Sequence, residues 1–498
     1  MGGKSIPVLN CRPLATTSYP KPIGTPFHYL PAAPGRFSLN DFHIIDGPGE
    51  DCLVILHDGG WGRIAKRAIS AIQEIHNLTP TSAALEFDLP AERLRELLND
   101  AVEWGMLQPP NSTMNPVISK PWKEDFGLLV LKVTNVCNID CRYCYNAGVD
   151  NGGTMTPETG FEVLRRAIDF SPQGLNIVFH GGEPFLKLDL LAEFCGFAHA
   201  YAVGQKKKVC FSVQTNGTVL TDAAVDLIEE YHIGVGISFD GPGSLNALRV
   251  THNGRPTVDT TWKGIQKLRS RGQQINVITV ITSHNASFLY EIVLAFQEHG
   301  FSSVKFSPLL RQGYASSDAN AMSADPEDIA SSYGRIIDGI AEGNIHSIMV
   351  SDICDMVNRC LSWGEPTMCH RGGPCGAGKD MLSAFPRGDI YPCDCLVNEQ
   401  FKLGRLDGTN SLHDLVKGPI VASLDGRSPE MLQPCTQCAF QKMCGGTMTC
   451  RAFWSNGDIA TVDAAECQVN QRTIESLLWK LTESRRLVEY FLRWNPSH

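Results

Sequence analysis

The sequence has no uninterrupted apolar run long enough to span a bilayer, so no transmembrane helix is expected. From Met1 to Pro20 it also lacks the apolar core of a secretory signal. Position 6 is Ile6 rather than the Ser or Thr that N-myristoylation requires. These absences together point to a cytoplasmic protein with no membrane partner. Basic residues are in short supply too. There are 43 Lys and Arg against 53 Asp and Glu, a formal charge of −10. A binder of phosphate backbones usually presents a basic face, so nucleic acid is not the expected main partner.

Cysteine is plentiful. The 498 residues include 18 cysteines. A secreted disulfide protein would normally carry a signal, whereas in a reducing compartment clustered cysteines read as metal ligands or redox groups. Three fall close together at Cys137, Cys141 and Cys144. Nine more lie between Cys369 and Cys467. Cys11, Cys52, Cys195, Cys210, Cys354 and Cys360 are scattered and read as small buried hydrophobes.

The length suggests several domains. Residues 1–25, rich in Pro, Thr and Ser, read as a flexible arm. Residues 26–115 hold two short strand patterns, "FSLNDFHIIDG" and "DCLVILHDGG". Two amphipathic helix patterns follow, "GRIAKRAISAIQEIH" and "LPAERLRELLNDAVEWGML", which suggests a small winged-helix-like module. "QPPNSTMNP" is a linker pattern. Across 116–315, six apolar strand patterns alternate with helical ones, from "LLVLKV" to "SVKFSP". That alternation predicts an α/β fold, a partial (β/α)6 TIM-type barrel, with its site in the loops after the strands. Bridging helices are expected over 316–365. The Cys-rich segment over 366–498 has little core of its own and is expected to rely on metal. It closes on a helix from about Val469 to Leu492.

"VTNVCNIDCRYCYN" sets the first three cysteines as C-x3-C-x2-C after the first barrel strand. Three thiolates on one tight loop can bind three irons of a [4Fe–4S] cube and leave the fourth open. An open iron can chelate the amino and carboxylate groups of S-adenosylmethionine (SAM). Reductive cleavage of SAM then releases a 5′-deoxyadenosyl radical. A zinc site short of one ligand, or three incidental cysteines, is the alternative.

With the motifs that follow, the chain resembles the radical SAM superfamily over residues 128 to 308. Tyr143 occupies the place of an aromatic residue before the last cysteine. "HGGEP", His180 to Pro184, follows the second strand. Its Gly181 and Gly182 would let backbone approach the ligand, and Glu183 would by resemblance hold the SAM amino group. "QTNG" from Gln214 follows the third strand, and "SFDGP" from Ser238 the fourth. The resemblance puts Ser238 on the SAM ribose and gives Arg249 the SAM carboxylate, with Arg255 as competitor. Gln214 and His180 fall near the expected substrate pocket.

The later cysteines resemble the SPASM domain of peptide-modifying radical SAM enzymes. Cys375, Gly388 and Cys393 match one element, Cys435, Cys438 and Cys444 another, and Cys467 the closing cysteine. The family continues with C-x3-C, but here Cys450 follows Cys444 at x5. The resemblance implies that Cys369, Cys375, Cys393 and Cys450 bind a first auxiliary [4Fe–4S] cluster. It gives Cys435, Cys438, Cys444 and Cys467 to a second, for three clusters in all. Two zinc knuckles are the alternative, and Cys395 is a spare. Asp394 stands where anaerobic sulfatase-maturating enzymes have a proposed general base. The module over 26–115 resembles in pattern a PqqD-like domain that recognises leader peptides. An electron donor such as flavodoxin or ferredoxin is implied. The expected activity is a radical SAM oxidoreductase that modifies a ribosomally made precursor peptide. Formylglycine formation on a sulfatase Cys or Ser is the alternative, and a non-catalytic scaffold a third.

Overall fold

The computed structural model describes residues 38–39, 42–47, 49–56, 60–75, 98–99, 101–102, 106–108, 126–148, 153–316, 319–361, 375–406 and 410–494. The expected arm, most of the second N-terminal helix, the linker after it, and Cys369 lie outside the described residues.

The first unit is an antiparallel sheet of β1 (Phe42–Asp46), β2 (Asp51–Leu56) and β3 (Trp61–Ala65), followed by helix α1 (Lys66–Ile75). The helical pattern expected from Gly62 onward is thus corrected, because its first residues form the third strand. Trp61 and Ile64 are buried, and the Trp61 indole donates 2.7 Å to the carbonyl of Cys360. A distant partner therefore decides this stretch, overriding a weak local preference. The sheet also leans on the end of the described chain. Trp479 lies over Gly47, where an added Cβ would meet its ring at 2.1 Å, and Arg63 pairs with Glu483 at 3.3 Å.

The centre of the molecule is one sheet of ten strands. Six of them alternate with helices in chain order. They are β4 (Leu128–Thr134), α2 (Pro157–Phe170), β5 (Gly174–Gly181), α3 (Leu188–Gly204), β6 (Lys208–Thr215) and α4 (Asp222–Glu230). Then come β7 (Gly234–Ser238), α5 (Val258–Ser270), β8 (Asn276–Ile281), α6 (Leu289–Glu298) and β9 (Ser303–Pro308). All neighbouring pairs from β4 to β9 are parallel. This is the expected partial barrel; β4 is buried on both faces, while β5 to β8 alternate buried with less buried positions. The helices start where local chemistry allows. Thr156 caps α2 by accepting from Thr159 N, with Pro157 in the first turn.

The sheet grows at both ends. After α7 (Pro326–Glu342), β10 (Met349–Val350) joins β9, and α8 (Ser351–Leu361) follows. At the other end β11 (Met381–Ala384) lies parallel to β4, and β12 (Asp389–Tyr391) and β13 (Gly404–Arg405) extend it antiparallel. The Cys-rich segment therefore has more frame than its weak periodicity suggests, since it borrows the barrel's edge. Helices α9 (Thr449–Asn456), α10 (Ala464–Glu483) and α11 (Arg485–Trp494) complete the described chain. The single closing helix expected from Val469 to Leu492 is two. It begins earlier, at the Asp463 cap, and breaks at Ser484, whose extended backbone ends α10.

Candidate active site

The cluster loop leaves the C-terminal end of β4 and runs against the chain after β7. Asp140 N bonds to Val250 O at 2.6 Å and Arg142 N to Leu248 O at 2.9 Å. On its other side stands the Gly-Gly pair. An added Cβ at Gly181 would sit 2.1 Å from Thr134 O, and one at Gly182 would sit 2.1 Å from Val136 O. Only glycine permits this approach. Cys137, Cys141 and Cys144 pack with Ile139, Tyr143 and Leu309. Burial pushes the Cys141 thiol up to about 12 against the pull of Arg249, and burial also raises Cys137. Thiols so placed ionise readily only beside strong positive charge, which suits iron.

Glu183 is fully buried. Its Oε1 accepts from Thr215 Oγ1 at 2.8 Å and Phe185 N at 3.2 Å, and its Oε2 from Asn216 N at 2.8 Å. Burial still wins over these bonds and moves its pKa up to about 7. A buried carboxylate already held by ordered donors can take one more from the N–H of an amino group. Arg249, 6% exposed, donates 2.8 Å to the Tyr143 hydroxyl, which in turn donates to Asp240. The Nε of Arg249 is buried without a partner among the described residues. Arg249 is thus inside the site, whereas Arg255 is exposed. Ser238 Oγ accepts from Gln214 Nε2 at 2.8 Å, which joins two of the expected residues. Asn216 reaches both sides, with its Nδ2 3.7 Å from Cys137 Sγ.

A second group joins the expected Asp394 and His180 to two residues that were not expected, Lys132 and Tyr145. Lys132 lies in β4 directly across from His180 in β5 and has no exposed surface. Its Nζ donates to Tyr145 OH at 2.8 Å and lies 3.3 Å from His180 Nδ1 and 3.5 Å from Asp394 Oδ2. Tyr145 OH donates to the same Asp394 oxygen at 2.7 Å. His180 Nδ1 also accepts from Gly181 N at 2.7 Å, so its neutral ring carries the proton on Nε2. Burial and then Lys132 push its pKa down to about 3. Burial pushes the Asp394 carboxyl up, but Lys132, His180 and Tyr145 outweigh it and hold it below the usual carboxylate range. The Cys-rich segment thus delivers its one candidate base into the barrel mouth. By the period-two parity of β4 Lys132 shares the face of Val130 and Thr134, but parity alone does not say which face lines the site.

Residues 131–294 match the radical SAM superfamily. The barrel carries a radical SAM domain. A cysteine-type anaerobic sulfatase-maturating enzyme of Clostridium novyi is 23% identical over 381 residues, 74% of this chain and 99% of that protein. Among solved structures, anSMEcpe with bound AdoMet superimposes with a TM-score of 0.64 at 20% identity, over 71% of this chain and 97% of its own. Streptococcus suis SuiB bound to precursor peptide SuiA gives 0.50 at 15%, over 85% and 97%. These two structural likenesses carry the fold.

Beyond the radical SAM domain the cysteines fall into two groups. Cys375, Cys393, Cys395 and Cys450 pack in one apolar cluster with Leu396 and Phe453. Burial first, and then neighbouring thiols of the group of Cys435, Cys438, Cys444 and Cys467, raise the pKa of Cys435, Cys444 and Cys467. Two amides of α10 face this second group, Asn470 at 3.4 Å from Cys444 Sγ and Gln471 at 3.6 Å from Cys438 Sγ. Arg427, 7% exposed, stands between the groups. Burial lowers its pKa, while Cys375, Cys435 and Cys450 push it back up. Among the described residues, no three His, Cys, Asp or Glu side chains converge on a point for a single metal ion. A cube that takes one thiolate at each corner asks for a wider spread than a lone zinc does. No helix among the described residues is long and apolar enough to cross a membrane.

Proposed function

We propose that this chain matures a ribosomally made precursor peptide by taking a hydrogen from one side chain, leaving a cross-link or another oxidised modification. The observation that carries the radical chemistry, shared with the formylglycine alternative, is Asp394, which reaches from the Cys-rich segment to Tyr145 of the cluster loop at 2.7 Å.

When bound, SAM and the clusters supply a 5′-deoxyadenosyl radical and an electron acceptor. The chain's own residues do the rest. Cys137, Cys141 and Cys144 hold the SAM cluster. Glu183 takes the SAM amino group, Arg249 its carboxylate and Ser238 its ribose, while Tyr143 orients Arg249. The two later cysteine groups hold auxiliary clusters, for three [4Fe–4S] centres in all. Asp394 receives the proton lost by the substrate. Its Oδ2 is engaged by Tyr145 and Lys132, so Oδ1 is the freer oxygen. His180 and Gln214 line the substrate space. The chain divides into a recognition module over 26–115, a barrel over 116–315, a bridge over 316–365 and the auxiliary segment over 366–498.

A peptide substrate is supported by the relatives' names and by SuiB, which was solved with precursor peptide SuiA. The N-terminal sheet supports a leader-bearing one. Strand β1 is a sheet edge, with His43, Ile44 and Asp46 exposed, and an extended peptide can add to such an edge. Formylglycine formation on a sulfatase Cys or Ser is the second reading. The match over 99% of the Clostridium novyi enzyme favours it, and the additional N-terminal sheet speaks against it.

The test is anaerobic incubation of reconstituted protein with SAM, dithionite and one of three peptides, read by mass spectrometry. The peptides are a sulfatase-type Cys sequence, its Ser counterpart, and the product of a short reading frame beside the gene. Loss of two hydrogens with a new link in the last supports the first reading. Loss of two hydrogens at the Ser, or the same oxidation at the Cys followed by exchange of its sulfur for oxygen from water, and there alone, favours the second. Intact SAM throughout would end both.

A further inference from the structure

Asn216 follows β6 directly and is 5% exposed. Its backbone N–H holds Glu183 Oε2 at 2.8 Å, on the side proposed for SAM. Its side chain turns to the cluster loop instead. Nδ2 donates one hydrogen to Asn138 Oδ1 at 3.0 Å and the other to Cys137 Sγ at 3.7 Å. The amide has one workable orientation. Oδ1 accepts from Thr218 N at 2.8 Å and from the Thr218 hydroxyl, so a flipped amide would set donors against donors. The turn that carries it is braced by α5. Thr261 Oγ1 donates 3.1 Å to Asn216 O, and Gly264 leaves no room for a Cβ against Gly217 O. The donor is therefore aimed at the sulfur by contacts that do not involve the cluster. The same sulfur takes the backbone N–H of Ile139. Among the described residues, no other side chain donates to the sulfur of Cys137, Cys141 or Cys144.

An N–H aimed at a thiolate sulfur stabilises negative charge there, and such bonds are a lever on a cluster's reduction potential. Reduction adds an electron, so the bond is stronger in the reduced state than in the oxidised one. We infer that Asn216 is a positioning residue with two separable roles. Its side-chain amide raises the potential of the SAM cluster through Cys137, and its backbone N–H orients Glu183 for the SAM amino group. This rests on the reading that Cys137 binds that cluster and Glu183 that amino group. The two roles lie on different atoms, so substitution divides them. Any side chain at position 216 other than proline keeps the backbone N–H, whereas the bond to sulfur needs the amide.

The test uses the full chain, reconstituted anaerobically, as wild type, Asn216→Ser, Asn216→Asp and Glu183→Gln. Both substitutions at 216 keep an oxygen for Thr218 N, so the turn retains its acceptor, and neither brings an N–H to Cys137 Sγ. Reduction is followed by electron paramagnetic resonance in a dithionite titration, and SAM binding by calorimetry. The SAM cluster is identified as the signal that changes when SAM is added. Each 216 variant is expected to reduce at a lower potential, its reduction equilibrium shifted about tenfold, ~59 mV for one electron. Each should still bind SAM within about threefold of wild type. Glu183→Gln should show the reverse, weaker SAM binding at an unchanged potential. A wild-type potential in either iron-loaded 216 variant overturns the role on sulfur. A loss of SAM affinity of about tenfold or more in Asn216→Ser overturns the division between the two roles. Should Asn216→Ser fail to load iron, Asn216→Asp, closest in shape to the native amide, decides alone. A wild type in which no signal responds to SAM would instead remove the cluster reading itself, a failure distinguishable from a wrong role for Asn216.

Discussion

Replacing Lys132 with Met should loosen the barrel mouth more than one lysine in 498 would suggest. The ammonium has no exposed surface and lies 3.5 Å from Asp394 Oδ2. Removing one member of a buried pair strands the other, at a cost of ~3–5 kcal/mol. For a unit the size of the barrel that is a melting shift of roughly 10 °C. The double variant Lys132→Met with Asp394→Asn strands no charge, so it should recover most of the loss. Anaerobic thermal melts of wild type, both single variants and the double variant form the complete cycle. The pH dependence has a definite sign. Asp394 has a folded pKa below its unfolded one, so its contribution is present above the unfolded value, ~4, and fades as the pH falls through the folded one. The gap between wild type and Lys132→Met should therefore narrow in acid. Losses that simply add in the double variant would refute the coupling.

Three further outcomes follow from the site. His180 has its pKa depressed to about 3, so below the unfolded value of ~6.5 the unfolded chain gains a proton that the fold refuses. Between pH 6.5 and 5 this should cost at most ~2 kcal/mol, and denaturant titrations should show His180→Gln relieved of it. Glu183, raised to about 7, holds a proton at pH 6 that the N–H donors of a bound amino group would expel. Anaerobic calorimetry of SAM binding in two buffers should detect more proton release in wild type than in Glu183→Gln, because the amino group loses its own proton to bind iron in both; the affinity of the variant should fall about tenfold or more, ~1.4 kcal/mol. Gly182→Ala would place a methyl 2.1 Å from Val136 O. It should dislodge the loop bearing Cys137 and lower the iron count by about four, leaving later cysteines protected from alkylation.

The barrel was legible because its apolar strand patterns alternate with amphipathic helices at regular spacing, and the cysteine loop because its spacing is local. Lys132 was not legible as a site residue. A lone lysine in "LLVLKV" reads as a surface position, and only the register that sets it across from His180 puts it inside. Tyr145 was passed over for its neighbour Tyr143, yet it is Tyr145 that meets Asp394, 249 residues away in sequence. Strand β3 was misread because its burial depends on Cys360. Strand β11, four residues long, has no pattern to find until β4 pairs with it. In each case the missing information is a contact across the sequence, which periodicity does not carry.

The grip of Trp61, Arg63 and Trp479 between the small sheet and the helices α8 and α10 has a metric consequence. A sheet so clamped cannot travel with its cargo. A peptide anchored on β1 would have a fixed starting point, and the residue to be altered would be chosen by how far along the strand the barrel mouth lies. Lengthening or shortening the stretch between anchor and target would then move the reaction to another residue, as a ruler does when slid along an edge.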